Sequence, residues 1–156
     1  MRTIEEKIAN AIKWIDALKP EAGFKKTVNK LKKTYNPKSI SYDFLYDEKN
    51  KDETRYCCLG VACEVLNREI KVGQSSERAL LDEMGLREEE GQFQDVDGEP
   101  IDVYAGNGAY RHLTTVNDAC YRHDDDFTNM RKFIIDNLEA IFVNDVAVGL
   151  RQYYGK

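Results

Sequence analysis

The run Arg55-Tyr56-Cys57-Cys58-Leu59-Gly60-Val61-Ala62-Cys63-Glu64-Val65 constrains the fold more than any other stretch of the chain. Val61, Ala62, Val65 and Leu66 share one helical face, with Cys58 one turn earlier. That spacing predicts a buried helix that begins at the cysteine pair and follows an extended approach. Gly60 lacks a side chain, so another backbone or a ligand can come close there. A helix start also exposes N–H groups that attract anions and lower the pKa of a thiol placed beside them. Cys58 therefore has two readings, a reactive thiol or a small core residue. The second is preferred, because cysteine is among the most buried residue types.

With 156 residues the chain has the length of one domain, taken as 1–156, and can bury a core without disulfide staples. No apolar run approaches the roughly 18 residues that span a bilayer. The opening Met1-Arg2-Thr3-Ile4-Glu5-Glu6 has no apolar signal-peptide core. The expectation is a cytoplasmic protein without a membrane partner. Four cysteines, two of them adjacent, do not form the spaced framework of a secreted domain, so the thiols are expected to be reduced. Charge is uneven: residues 1–38 hold ten Lys/Arg against four Asp/Glu, a net +6, and the rest thirteen against twenty-four, a net −11. A basic end can follow phosphates, but the acidic remainder would repel a nucleic-acid backbone, so nucleic acid is disfavoured as a partner.

Local signals predict a mixed fold. Thr3 and Glu6 match a capping box, and Ile4, Ile8, Ile12, Ile15 and Leu18 trace a stripe that Pro20 ends, with Trp14 beside it. Phe24, Val28, Leu31 and Tyr35 predict a short second helix with lysines facing water. Ile40, Tyr42, Phe44 and Tyr46 alternate as a strand whose partner, through Thr54 to Tyr56, leads into the cysteine pair. A further helix covers Glu77 to Met84, with Gly85-Leu86 as its glycine cap. Asp97-Gly98 marks a hairpin within Phe93 to Tyr104, and Pro100 an edge strand. Asp95, Asp97, Glu99 and Asp102 miss the spacing of a calcium loop and read as turn carboxylates. A last long helix is expected from Asp125 to Phe142, and a strand or short helix from Val143 to Lys156. Together these predict an α+β fold in which three to four helices pack on a small antiparallel sheet.

Two segments, Tyr56 to Val65 and Leu113-Thr114-Thr115-Val116-Asn117-Asp118, resemble small phage and prophage proteins that carry a YCCLGVLCE-like segment followed by L-x-x-x-N-D. In that family an opening helix precedes the two segments, as Trp14 to Leu18 does here, and a phenylalanine with an amphipathic helix follows, as Phe127 does here. The chain departs from the pattern by Ala62 in place of leucine, by a longer Tyr121 to Asp126 stretch and by its lysine-rich region after Gly23. The resemblance implies a viral accessory protein that acts by binding a host factor or a messenger of host defence.

Three constellations can carry function. Cys58 as nucleophile, His112 or His123 as base and Asn117 or Asp118 as orienting group would make a cysteine hydrolase. Cys120-Tyr121-Arg122-His123 is a C-x-x-H pair that Cys57 or Cys58 could extend toward zinc, although adjacent cysteines seldom reach one ion. A binding pocket is the preferred reading. Arg111, His112 and Arg122 supply cations around Asn117-Asp118, near the helix start at Cys58 to Gly60, with Tyr56 or Tyr110 stacking on a base. The expectation is a non-catalytic protein without cofactor that sequesters an anionic, nucleotide-derived small molecule. A host protein is the alternative partner and the hydrolase the alternative activity.

Overall fold

The structure is a computed structural model, and it describes residues 2–26, 32–34, 54–56, 58–66, 75–87, 93–101, 113 and 126–155. Helix α1 (Ile4–Ala17) starts at Thr3, whose Oγ1 accepts the Glu6 N–H at 3.1 Å while the Glu6 carboxylate faces the Thr3 N–H. A single 3-10 turn (Pro20–Ala22) follows, and Gly23 takes a left-handed φ of 85°. Helix α2 (Cys58–Val65) is buried from Cys58 through Cys63, so the central segment is surrounded on most of its circumference. Helix α3 (Ser75–Met84) ends at Gly85, whose φ of 68° lets the Leu86 N–H reach back to the Leu81 carbonyl at 3.2 Å.

The last third of the described chain holds three helices, α4 (Thr128–Asp136), α5 (Leu138–Ile141) and α6 (Asn144–Tyr154). The expected single helix to Phe142 is thus interrupted at Asn137, and the segment after Val143 is helical. Asp126 stands before α4 with Oδ1 accepting the Thr128 N–H at 3.0 Å and its hydroxyl at 2.8 Å. After α5 the chain pairs with the chain after α3. Val143 donates to Gly85, Arg87 donates to Ile141, and Leu86 and Phe142 form an antiparallel bridge. The Arg87 Nε then donates to the carbonyls of Glu139 and Phe142, covering the C-terminal end of α5.

The expectation of helices resting on an antiparallel sheet is corrected. The strands β1 (Lys25–Lys26), β2 (Lys32–Thr34) and β3 (Thr54–Tyr56) are two or three residues long. Such strands span at most about 10 Å, half the roughly 21 Å of α1, and cannot floor a helical layer. They form a short ladder in the order β1-β3-β2, parallel on one side and antiparallel on the other. Helix instead packs on helix: α1 lies against α2, α3 and α6, and Trp14, Ile15, Met84, Phe133, Ile134, Phe142 and Leu150 share one core. The second helix expected over Phe24 to Tyr35 is overturned by the same ladder, since 25–26 and 32–34 are extended. The β-branched Thr27, Val28 and Thr34 and the aromatic Phe24 and Tyr35 suit strands as well as their spacing suits a helix. The expected strand at Ile40 to Tyr46 lies outside the described residues.

The Asp97-Gly98 hairpin is formed between β4 (Phe93–Gln94) and β5 (Pro100–Ile101), with Gln94 opposite Pro100. Gly98 has φ 82°, and Asp95 Oδ1 accepts the N–H groups of Asp97 and Glu99, so the Asp95 carboxylate organises the turn. Phe93 turns inward and stacks on Phe133 with centroids 5.8 Å apart. Close approach sets the packing of α1 on α6: a Cβ added at Gly149 would lie 2.4 Å from Ile8 Cδ1. Among the described residues no helix is long and apolar enough to cross a membrane.

Candidate functional site

Cys58 is the first residue of α2 and is fully buried. Its carbonyl accepts the Trp14 indole N–H at 2.8 Å, and its Sγ lies 3.7 Å from the Leu113 carbonyl oxygen, to which the thiol donates. The contact joins Cys58 to Leu113, 55 residues later in the chain. Gly60, two residues along, is also buried, and Cys63 is a second buried thiol in the same helix. Tyr56 ends β3, paired through its backbone with Lys26 and Lys32.

The remaining expected site residues, Tyr110, Arg111, His112, Asn117, Asp118 and Arg122, lie outside the described residues. So do Cys57, Cys120 and His123, on which the zinc and hydrolase readings depend. Among the described residues no three His, Cys, Asp or Glu side chains converge on a point that could hold a metal.

A second feature had no signal in the sequence. The end of α1, the first turn after it, α4 and the end of α6 enclose an open groove of about 690 Å³ whose lining includes Lys19, Glu21, Arg131, Ile135, Asp136 and Tyr154. Asp16 stands at its edge: Oδ1 accepts the Tyr154 hydroxyl at 3.0 Å and lies 3.6 Å from Arg131 Nη2 and 3.8 Å from Lys19 Nζ. Burial, together with the charge of Asp16, raises the Tyr154 phenol above its ordinary pKa, so it stays protonated as a donor. Arg131 is held by its Nε, which donates to the Ile15 carbonyl at 3.2 Å, and its guanidinium lies 5.9 Å from the centroid of the Tyr154 ring. On α4 itself Lys132, which also lines the groove, pairs with Asp136 at 2.6 Å. These groups come from sites up to 138 residues apart, which no local spacing could have revealed.

No family model, curated protein or solved structure matches the chain.

Proposed function

We propose that the chain is a non-catalytic accessory protein of phage or prophage origin, acting in the host cytoplasm by sequestering an anionic, nucleotide-derived small molecule. The proposed site lies at the start of α2, where Cys58 meets Leu113. The observation that carries this reading is the Cys58 Sγ contact with the Leu113 carbonyl. It brings Leu113 to the start of α2, and in the sequence Arg111 and His112 immediately precede Leu113 while Asn117 and Asp118 follow shortly after it. Arginine offers forked donors to phosphate, and the N–H groups at a helix start favour the same charge. Burial of Cys58 supports the non-catalytic side, because desolvation disfavours the thiolate that a nucleophile needs.

The test is a thermal-shift screen with cyclic and linear nucleotides and ADP-ribose derivatives on the wild type, Arg111→Ala and Asp118→Ala. A ligand present at a hundredfold excess over its Kd stabilises the wild type by about 2.7 kcal/mol. Both variants should fold normally and lose that shift. If no nucleotide stabilises the wild type and a specific host protein is recovered from lysate instead, the small-ligand reading fails. If neither variant folds, Arg111 and Asp118 are structural.

A further inference from the structure

We infer that the groove between α1, α4 and α6 is a second recognition site, for a small organic molecule carrying one oxyanion group on an aromatic or apolar body. Arg131 is the anchor. Its Nε bond to the Ile15 carbonyl and its place over the Tyr154 ring fix the guanidinium plane, while both Nη groups are left without a hydrogen bond among the described residues. Asp16, their nearest carboxylate, stands at 3.6 Å, which is an ion-pair distance beyond hydrogen-bond reach. Lys19 is in the same position, its ammonium 3.8 Å from the same Asp16 oxygen. Two cations therefore share one carboxylate oxygen that already accepts the Tyr154 hydroxyl, and both Lys19 and Arg131 line the groove.

Fixed, underused guanidinium donors suit a carboxylate or phosphate, which both present oxygens in the spacing of the fork. The Tyr154 ring and Ile135 offer a surface for the body of the molecule. Glu21 and Asp136 set the limit. They line the same groove, so a second negative charge would meet them, and a polyphosphate is rejected where a single oxyanion is accepted.

The experiment is a titration of the 15N-labelled full chain followed by NMR. The probes are inorganic phosphate, pyrophosphate, phenyl phosphate and benzoate. Phenyl phosphate and benzoate share one body and differ in the oxyanion, so together they distinguish the two sources of the charge. At least one should give saturable shifts at Arg131, Ile135 and Tyr154, binding more tightly than inorganic phosphate, with pyrophosphate weakest. Arg131→Lys keeps the charge but loses the fork, and should weaken binding at least about tenfold. Lys19→Met should weaken it severalfold, and Lys13→Met, on the exposed face of α1, should leave it unchanged. The absence of saturable shifts, or equal weakening in Lys19→Met and Lys13→Met, would overturn the inference. If Arg131→Lys does not fold, the exposed Lys19 decides the question. Binding that Arg111→Ala abolishes and Lys19→Met leaves intact belongs to the site near Cys58, and equally counts against the groove.

Discussion

The side-chain amide of Asn137 pairs with the backbone of Gln94 in both directions, Oδ1 accepting its N–H and Nδ2 donating to its carbonyl, each at 2.8 Å. The amide substitutes for a neighbouring strand and seats the β4–β5 hairpin on the helices. The same Nδ2 donates to the Phe133 carbonyl at 2.8 Å, in the turn where α4 stops. One nearly buried side chain therefore interrupts the helix and holds the hairpin.

Replacing Asn137 with alanine should destabilise the protein by about 2–4 kcal/mol, since several hydrogen-bonding groups of a part-buried site lose their partner. Urea denaturation measures the loss. Amide exchange at Gln94 should accelerate more than exchange in α1, and an equal acceleration in both would show that the hairpin does not depend on this clamp.

Gly149 should not tolerate a methyl group. Gly149→Ala gains about 1 kcal/mol of helix propensity but crowds Ile8 at a cost of about 1–3 kcal/mol, for an expected net loss near 1 kcal/mol. Ile8→Val removes the Cδ1 atom that lies in the way. The double variant should therefore be at least about 0.5 kcal/mol more stable than the sum of the two single effects, and strict additivity in thermal unfolding would refute the contact.

Cys58 and Cys63 should resist iodoacetamide in the folded protein and react once it is unfolded, which mass spectrometry can assign residue by residue. Labelling of Cys58 in the native state, with a pH midpoint well below about 8.5, would restore the hydrolase reading and remove the non-catalytic one.

Tyr154 carries an alkaline pH dependence. Its folded pKa lies above the ordinary phenol value of about 10, so the folded state holds the phenolic proton more tightly than the unfolded chain does. The associated stability is complete below about pH 10 and declines as the pH rises above it toward the folded pKa. Wild type and Tyr154→Phe should thus differ most near neutral pH and converge in strong alkali. A constant difference from pH 8 upward, measured by denaturation, would contradict the partly buried hydroxyl bond to Asp16.

Much of the local structure was legible because its causes are local. Thr3 and Glu6 lie within one turn, Gly85 and Leu86 close the helix that precedes them, and Asp97-Gly98 makes its turn with Asp95 beside it. What escaped depends on distant partners. That 25–26 and 32–34 are extended is decided by their pairing with Thr54 to Tyr56, and the break at Asn137 by the Gln94 backbone 43 residues earlier. The expected sheet failed for the same reason, since apolar stripes show which face is buried without naming what covers it. Of the expected pocket, Cys58 and Gly60 could be placed on α2. The groove was invisible, because Asp16, Arg131 and Tyr154 stand far apart in sequence.

Cys58 bonds backward across 44 residues to Trp14 and forward across 55 to Leu113. During synthesis its apolar segment leaves the ribosome with only the first of those partners made. At about 5–20 residues per second, roughly 3–11 s pass before the second partner has been synthesised. The most hydrophobic helix of the described chain is then a window of exposure to chaperones and proteases, and variants that weaken the Trp14 contact should lower the yield of soluble protein in cells more than their equilibrium stability alone would predict.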